Sequence, residues 1–302
     1  MSAASSSSKA PLERNILRGR FLFPLHRIVC GRGSFGEVVQ ALDMRTGRLV
    51  AVKVMPLDNL SDRRVDQVVQ EVSLMKELSH RNVVQYIGTA REGSNLNIVL
   101  EHMPGGSLAS LLRHYGPLPV ELCRRYIADV LEGLRYLHGK NVAHRDLKCE
   151  NLLLCSSGVV KLADFGCSRE YTDGEQAQTI LGTPLFMAPE VATAVGPYNP
   201  FQADVWTVGV TLLQMLTGKQ PFAEECASPM KYFLLISKDG VIPPIPTHVP
   251  ATCRDFLLRC LVRDPKARGS IEELLYHDFI DGTGPDDSTA SAAIPTINES
   301  KA

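Results

Sequence analysis

The 302-residue sequence has almost no net charge, −1 at neutral pH, because 32 basic side chains nearly balance 33 acidic ones. A chain without a basic excess has no overall attraction for nucleic acid or for an anionic membrane surface. It also has no stretch of about 18 apolar residues, which is the length needed to span a bilayer. These absences predict a protein that binds neither nucleic acid nor membranes.

Paired cysteines are also missing. The eight cysteines form no Cys-x-x-Cys pair and no Cys/His group with the spacing of a zinc site. Residues 1–15 are polar and have no apolar core, so we expect no signal peptide. Both observations favour a reducing, cytoplasmic location in which the thiols stay free.

Apolar residues make up 44% of the chain and charged residues 22%, which is typical of a globular protein. Residues 1–20 are rich in Ser and Ala, and residues 281–302 are rich in Gly, Asp, Ser and Thr. Such composition predicts a disordered N-terminal extension and a disordered C-terminal tail. The part between them, residues 21–280, is predicted to form the folded domain.

The hydrophobic pattern changes along this domain. Runs rich in Val, Leu and Ile predict strands at residues 21–30, 37–43, 48–55, 83–88 and 96–100. Ser61-Asp62 can cap a helix that reaches about Leu78. After the break at Pro104-Gly105-Gly106, helical periodicity follows at residues 118–138 and 203–216. The pattern predicts an α+β protein with a sheet-rich N-terminal lobe containing one helix, a short hinge, and a larger helical lobe.

A glycine-rich segment, Gly31-Arg32-Gly33-Ser34-Phe35-Gly36, follows one predicted strand and precedes another. Glycines let a backbone approach phosphates closely and adopt positive φ angles. A dinucleotide-binding fold uses a similar spacing, but between a strand and a helix. By itself the motif leaves a phosphate-binding loop and an ordinary turn open, while the flanking strands argue against a dinucleotide.

Lys53 lies in the middle of an apolar strand, where lysines are rare unless they are paired. In the following helix, Glu71 falls within the apolar face between Met75 and Leu78. A buried ion pair that lacks one member costs about 3–5 kcal/mol. We therefore predict a Lys53–Glu71 pair, and the alternative is two separate surface charges.

The segment His144-Arg145-Asp146-Leu147-Lys148-Cys149-Glu150-Asn151 places several charged groups between two apolar runs. Such a polar cluster is costly unless its members have partners or a function. An aspartate there can accept a hydrogen bond from a substrate hydroxyl. Asp164-Phe165-Gly166 follows a short apolar run, and its carboxylate offers the oxygen ligands that Mg²⁺ prefers.

Over residues 21–280 the chain resembles the protein kinase family, because eight of its motifs occur in the family's order. These motifs are the glycine loop, Lys53, Glu71, residues 144–151, Asp164-Phe165-Gly166, Ala188-Pro189-Glu190, Asp204-x-Trp206-x-x-Gly209 and residues 264–268. The resemblance implies a bilobal kinase fold with an antiparallel N-lobe sheet, and an enzyme that uses ATP and Mg²⁺. It also implies that Arg268 pairs with Glu190.

The resemblance also implies roles for individual residues. Asp146 would accept the proton of the substrate hydroxyl, Lys148 would neutralise the γ-phosphate, and Asn151 and Asp164 would ligate magnesium. Leu100 would be the gatekeeper. The residues implied to contact ATP are Gly31, Arg32, Gly33, Gly36, Val38, Ala51, Lys53, Glu71, Glu101, Met103, Leu153 and Asp164.

Further features indicate which branch of the kinase family the chain resembles. Lys148 and Gly182-Thr183-Pro184 resemble serine/threonine kinases, in which the threonine contacts the catalytic aspartate and lysine. The activation segment of the family corresponds to residues 164–190. Arg145, next to Asp146, is suited to bind a phosphate on this segment, and Thr179 is our candidate phosphosite. The segments Met103-Pro104-Gly105-Gly106-Ser107-Leu108 and residues 182–190 are similar to MAP kinase kinase kinases.

The implied partners are therefore a protein substrate that is itself a kinase and an upstream activating kinase or regulator. Two alternatives stay open. One is a pseudokinase or catalytically weak scaffold, although such proteins usually lose the lysine or one of the two aspartates. The other is a phosphotransferase that acts on a small molecule, which would not be expected to keep both the Gly-Thr-Pro and the Ala-Pro-Glu segments.

Overall fold

The computed structural model describes residues 16–283, except for 34–35, 59–61, 173–174, 180, 194–195, 223 and 227. These residues fall into two units. The first unit comprises the residues up to Asp66 and Gln85–His102. The second unit comprises Gln67–Val84 and the residues from Met103 onward. The passage at His102 to Met103 coincides with the predicted hinge.

An antiparallel sheet dominates the first unit. Its strands are β1 (Ile16–Leu17), β2 (Phe21–Leu22), β3 (Val29–Gly33), β4 (Gly36–Asp43), β5 (Arg48–Pro56), β6 (Tyr86–Glu92) and β7 (Asn95–Glu101). They pair in the order β1-β2-β4-β5-β7-β6, and β3 pairs with β4. The antiparallel N-lobe sheet predicted from the sequence is therefore confirmed.

The predicted disordered extension is too long at its C-terminal end. Ile16 and Leu17 form strand β1, residues 18–20 form the turn to β2, and Leu17 and Phe21 are buried in the core of the sheet. Arg20 donates two hydrogen bonds, of 2.8 and 2.6 Å, to the buried carboxylate of Asp43. The Arg20 guanidinium holds the pKa of Asp43 well below its usual range. Residues 1–15 of the predicted extension lie outside the described residues.

The single strand predicted at residues 21–30 is divided into β2 and β3. Pro24 lies between them, and a proline cannot donate a hydrogen bond to a sheet. The predicted turn at Thr46-Gly47 is present, and Gly47 has a φ of +70°. Helix α1 (Asp62–Glu77) follows β5, and the unit boundary falls within it.

Helices form most of the second unit. After α1 they are α2 (Leu108–Tyr115), α3 (Val120–His138), α4 (Pro189–Ala192), α5 (Pro200–Thr217), α6 (Pro229–Ile236), α7 (Ala251–Cys260), α8 (Ile271–Leu275) and α9 (Asp278–Asp281). Helix α5 is buried on almost every side and packs against α3 and α7. No helix in the described part of the chain is long and apolar enough to cross a membrane.

Four short strands position the predicted catalytic segments. They are β8 (Val142–Ala143), β9 (Leu152–Leu154), β10 (Val160–Leu162) and β11 (Arg169–Glu170). Strand β8 pairs with β11, and β9 pairs with β10. These two pairings bring residues 144–151, which connect β8 to β9, close to residues 163–168, which connect β10 to β11. The predicted disordered tail begins at Asp281, the last residue of α9, and residues 284–302 lie outside the described part.

Candidate active site

The carboxylate of Asp146 is the centre of a small hydrogen-bonded cluster. Its Oδ2 accepts from Lys148 Nζ at 2.9 Å and from Asn151 Nδ2 at 3.0 Å. Its Oδ1 accepts from the backbone N–H of Thr183 at 2.9 Å and from the Thr183 hydroxyl at 2.7 Å. Lys148 Nζ also donates to Thr183 Oγ1 at 2.5 Å. The structure therefore confirms the predicted contact of Thr183 with the aspartate and the lysine.

This arrangement fixes the direction of the Asp146 side chain. About 12% of the side chain remains exposed, so a substrate can reach it although it is largely enclosed. Two donors face each oxygen, so both carboxylate oxygens are held in place. The cluster is chemically suited to orient and deprotonate a hydroxyl.

The side chains of Asn151 and Asp164 suit a magnesium ion. Asn151 Nδ2 donates to the backbone oxygen of Asp146 at 2.7 Å as well as to its carboxylate, so the amide oxygen points the other way. Asp164 is exposed and follows β10 at a φ of +60°. The described residues contain no cluster of three or more His, Cys, Asp or Glu side chains that could hold a metal. Mg²⁺ suits such a site, because it usually takes one or two protein ligands and fills the rest with phosphate oxygens and water.

Asp204, near the start of α5, binds the backbone of residues 144–151, the predicted catalytic loop. It is fully buried, and its carboxylate accepts from the backbone N–H of His144 at 2.8 Å and of Arg145 at 2.7 Å. His138 Nε2 lies 2.9 Å from the same carboxylate. Burial pushes the pKa of Asp204 up, but the hydrogen bond and charge of His138 outweigh it and lower the pKa overall. The ionised side chain supports a strained turn, since Arg145 has a φ of +68°.

His144 has a supporting role. Its Nδ1 accepts from the backbone N–H of Asp146 at 3.3 Å, so its proton lies on Nε2, which donates to the Ala163 oxygen at 3.1 Å. The ring also contacts Phe165, with centroids 5.6 Å apart. The histidine thus connects the loop of Asp146 to the turn of Asp164.

Arg145 and Thr179, the predicted regulatory pair, lie together. Arg145 Nη2 donates to the Thr179 backbone oxygen at 2.8 Å and lies 3.4 Å from the Thr179 hydroxyl. It also donates to the hydroxyl of Tyr198 at 3.1 Å. Arg145 is buried, its Nε–H has no partner among the described residues, and Thr179 is exposed. A buried guanidinium with a spare donor beside an exposed hydroxyl suits a phosphate on that hydroxyl.

The predicted pairing of Arg268 with Glu190 is confirmed. Arg268 Nη1 and Nη2 donate to the two carboxylate oxygens of Glu190 at 2.8 and 3.0 Å. The guanidinium is completely buried and also donates to the backbone oxygens of Gln202 and Val262. The pair attaches the end of the activation segment to the body of the second unit.

The predicted phosphate-binding loop lies at the turn between β3 and β4, where Ser34 and Phe35 fall outside the described residues. Gly36 has a φ of +147°, and a Cβ there would lie 2.0 Å from the Val54 oxygen, so this position requires glycine. A Cβ on Gly31 would meet nothing within 4 Å. Strand pairing aligns Val38 with Lys53.

The remaining residues predicted to contact ATP occupy both units. Lys53 belongs to the first unit and Glu71 to the second, and both side chains are buried. Their pairing stays a prediction. Ala51 lies on β5, Glu101 ends β7, Met103 follows the hinge and Leu153 lies on β9. The contacts of these four residues with adenine stay predictions as well.

The cysteines near the site differ in reactivity. Burial raises the pKa of the Cys167 thiol to about 11, and burial also raises the pKa of Cys149 well above its usual value. For Cys155 a modest burial effect is outweighed by hydrogen bonds from Ser157, so its pKa is lowered. The raised pKa values keep the Cys149 and Cys167 thiols protonated at neutral pH, and the thiolate is the reactive form.

Sequence reasoning missed the contribution of Asp204 and Tyr198 to this site. Asp204 was identified as part of a motif, but its hydrogen bonds with the backbone of the catalytic loop were not predicted. A signal existed, because a carboxylate inside the apolar helix 203–216 needs partners for the same reason that Glu71 does. Tyr198 carried no such signal in the sequence.

The comparisons with known proteins agree with this geometry. The profile of the "Protein kinase domain" family matches residues 26–280. The mitogen-activated protein kinase kinase kinase ANP1 of Arabidopsis thaliana is 41% identical over 261 residues, which cover 83% of this chain and 39% of the relative. Mitogen-activated protein kinase kinase kinase 2 of the same plant is 40% identical, with 83% and 40% covered.

A third relative, the cytokinesis protein sepH of Emericella nidulans, is 39% identical over 250 residues, which cover 83% of this chain and 18% of the relative. The chain thus spans less than half the length of each of these three relatives. With the family profile matched over most of its length, this chain belongs to the protein kinase family and is similar to the MAP kinase kinase kinases.

Proposed function

We propose that this chain transfers the γ-phosphate of ATP, with Mg²⁺, to serine or threonine hydroxyls of a protein substrate. The observation that carries the proposal is the cluster in which Asp146 is held by Lys148, Asn151 and Thr183. The same side chains that would perform the transfer are already oriented around one carboxylate. Such preorganisation is the main contribution a protein makes to phosphoryl transfer.

In the proposed reaction Asp146 accepts the proton of the substrate hydroxyl and aligns its oxygen with the phosphate. Lys148 lies 2.9 Å from that carboxylate and neutralises charge on the transferred group. Asn151 and Asp164 hold magnesium, which when bound neutralises the phosphate oxygens. Thr183 fixes the rotamer of Asp146 through two hydrogen bonds.

For ATP we propose the contacts implied by the family. Gly31, Arg32, Gly33 and Gly36 cover the phosphates, and Lys53, fixed by Glu71, holds two of them. Val38, Ala51 and Leu153 enclose the adenine, while the backbone of Glu101 and Met103 hydrogen-bonds it. The steric demand for glycine at position 36 and the burial of Lys53 and Glu71 support this assignment.

The relatives support a place in a signalling cascade. Two of them are named mitogen-activated protein kinase kinase kinases, so we propose that the substrate is a downstream kinase of such a cascade, phosphorylated on its activation segment. An upstream kinase or regulator would be the second partner. The free cysteines among the described residues support a cytoplasmic location.

The test is a phosphorylation assay with ATP and Mg²⁺ on a generic serine/threonine protein substrate. We expect signal from the wild type and a loss of at least about a hundredfold for Asp146→Asn, because the general base is removed. Asp255→Asn, the same change on the surface, serves as the control. Equal signal from wild type and Asp146→Asn would contradict the proposal and would favour the scaffold or pseudokinase alternative.

We further propose that phosphorylation of Thr179 activates the enzyme. A phosphate there would meet the buried guanidinium of Arg145 and its spare Nε–H. Thr179→Ala should lower both the activity and the phosphate content of the activated protein. Thr172→Ala, a change of another exposed activation-segment hydroxyl, is the control. Unchanged activity and stoichiometry in Thr179→Ala would refute this assignment.

A further inference from the structure

The buried guanidinium of Arg145 is hydrogen-bonded to neutral oxygens. Its Nη2 donates to the backbone oxygen of Thr179 at 2.8 Å and to the Tyr198 hydroxyl at 3.1 Å, and it lies 3.4 Å from the Thr179 hydroxyl. A buried cation is costly unless its hydrogen bonds are satisfied. In the unphosphorylated chain, these oxygens of Thr179 and Tyr198 are therefore what keeps Arg145 in place.

Tyr198 is bound to the activation segment at two points. Its backbone exchanges two hydrogen bonds with Ala177, of 2.8 and 2.9 Å. Its hydroxyl donates to the Thr179 backbone oxygen at 3.0 Å and accepts from Arg145 Nη2 at 3.1 Å. A hydroxyl has one hydrogen to donate and lone pairs to accept, so both bonds form at the same time. The hydroxyl of Tyr198 thus connects the activation segment to the catalytic loop.

The residues after Thr179 lie directly against the catalytic loop. Gly182 has a φ of +110°, and a Cβ there would lie 2.5 Å from the backbone oxygen of Arg145. Thr183, the next residue, donates two hydrogen bonds to the Asp146 carboxylate. A movement of Thr179 away from Arg145 would therefore reach, within four residues, the donors that orient Asp146.

The beginning of α5 provides a fixed support for Tyr198. Tyr198 is buried and lies two residues before the first residue of the helix, and the side chain of Asn199 caps that helix. Asp204 in the same helix accepts from the backbone N–H of Arg145 at 2.7 Å. One end of one helix thus holds Arg145 twice, by its backbone through Asp204 and by its side chain through Tyr198.

We propose that Tyr198 is a positioning residue that keeps the activation segment in place while Thr179 is unphosphorylated. Its hydroxyl holds Thr179 on Arg145, and thereby holds Thr183 at Asp146. The unphosphorylated chain then has a basal activity that depends on this hydroxyl. A phosphate on Thr179 would bind Arg145 directly, including its spare Nε–H, and would make the hydroxyl dispensable. This inference rests on the proposed function and specifies how its unphosphorylated state works.

The experiment removes the hydroxyl alone, with Tyr198→Phe, in protein that has been treated with a phosphatase. Tyr171→Phe is the matched control, because the Tyr171 hydroxyl is also buried but has no hydrogen-bond partner among the described residues. Both variants keep their aromatic ring and its packing. The net loss of one hydrogen bond corresponds to a factor of roughly two to ten in an equilibrium constant.

We expect kcat of unphosphorylated Tyr198→Phe to fall about fivefold, with the KM for ATP within about twofold of wild type. When Thr179 carries a phosphate, the same variant should come within about twofold of the phosphorylated wild type, whereas a general structural defect would persist. Tyr171→Phe should stay within about twofold of wild type in both states. An equal loss in both states, or no loss in either, would overturn the proposal.

Amide hydrogen exchange in the unphosphorylated protein separates this inference from the proposed function, because it requires no phosphate transfer. The N–H of Thr183 donates to Asp146, so its exchange reports whether the segment is in place. It should be about fivefold faster in Tyr198→Phe and unchanged in Tyr171→Phe. The N–H of Leu261, which is hydrogen-bonded at the end of α7, should be unchanged in both.

Faster exchange at Thr183 supports the inference even if the wild type phosphorylates no substrate, in which case the proposed function fails by itself. Equal exchange at Thr183 in the wild type and in Tyr198→Phe overturns the inference. Equally fast exchange in Tyr171→Phe overturns it too, because the effect would then not depend on the hydrogen bonds of Tyr198.

Discussion

Replacing Asp204 by asparagine tests whether this buried carboxylate holds the catalytic loop. Asp204 presents two oxygens to three donors: the backbone N–H groups of His144 and Arg145, and His138 Nε2. Asparagine has one oxygen and turns an N–H₂ group toward the remaining donor or donors. At least one buried donor therefore loses its acceptor, whichever way the amide is placed.

The magnitude follows from the chemistry of these bonds. A hydrogen bond to a charged group contributes about 1.5–3 kcal/mol, and a buried donor left without an acceptor adds a desolvation cost. We expect Asp204→Asn to lower the free energy of unfolding by about 2–3 kcal/mol. For a folded domain of about 270 residues that corresponds to a fall in Tm of roughly 4–5 °C. The turn at Arg145 loses support at the same time, so kcat should fall about tenfold or more.

Thermal and urea unfolding measure the stability loss, and single-substrate kinetics measure kcat. Asp255→Asn is the control, because Asp255 also pairs with a histidine and an arginine but is 57% exposed. Surface pairs of this kind contribute about 0–1 kcal/mol. If Asp204→Asn were no more destabilising than Asp255→Asn and left kcat unchanged, our account of how the loop is held would be refuted.

The pH dependence of stability provides a second readout. The folded-state pKa of Asp204 is depressed, because the donors around it outweigh the effect of burial. Its contribution is therefore complete above the unfolded-state pKa of about 4 and is lost as the pH falls through the lower folded value. The difference in stability between wild type and Asp204→Asn should be constant above about pH 5 and shrink below about pH 4.

Three further predictions concern neighbouring parts of the molecule. Arg268→Met should lower the free energy of unfolding, measured in urea, by about 3–5 kcal/mol, because it leaves the Glu190 carboxylate without its buried partner. Arg259→Met breaks an exposed pair with Asp255 and should lower it by less than about 1 kcal/mol. Gly36→Ala should raise the KM for ATP, because its Cβ would collide with a backbone oxygen 2.0 Å away, whereas Gly88→Ala in β6 has open space and should behave as wild type. Thr183→Val should lower kcat about tenfold with little change in Tm, because the rotamer of the Asp146 carboxylate is no longer fixed. Thr183→Ser keeps the hydroxyl and should have the kcat of the wild type.

Each of these predictions has a result that would contradict it. Equal costs for Arg268→Met and Arg259→Met would show that burial does not govern the first pair. Equal KM values for ATP in the two glycine variants would mean that the close approach at Gly36 does not shape the loop. A Thr183→Ser variant as slow as Thr183→Val would show that the hydroxyl is not what matters.

Much of the site was predictable because its chemistry depends on side chains in short motifs. The contacts of Thr183 with Asp146 and Lys148 appeared as predicted, and so did the Arg268–Glu190 pair. These residues carry charges or donors that are unusual in an apolar context, so their need for partners is visible in the sequence.

Other features could not be predicted because they depend on groups that every residue carries. The donors to the Asp204 carboxylate include two backbone N–H groups about 60 positions away, and nothing in a sequence distinguishes these from other amides. Strand β1 was missed for a related reason. Ile16 and Leu17 follow a polar stretch, and the burial of Leu17 depends on the partner strand β2.

The sequence by itself determined which chemical groups the protein would bring to the proposed phosphate transfer: Asp146, Lys148, Asn151 and Asp164 in a fixed order. The tertiary structure decided the orientation of these groups. Thr183 hydrogen-bonds one oxygen of Asp146, and the carboxylate of Asp204 accepts a hydrogen bond from the backbone of the loop. It also decided which apolar residues stay exposed, such as Met230 and Leu234. The physical reason is that a side chain's identity is local, whereas its direction and its burial are set by neighbours that the fold supplies from distant parts of the chain.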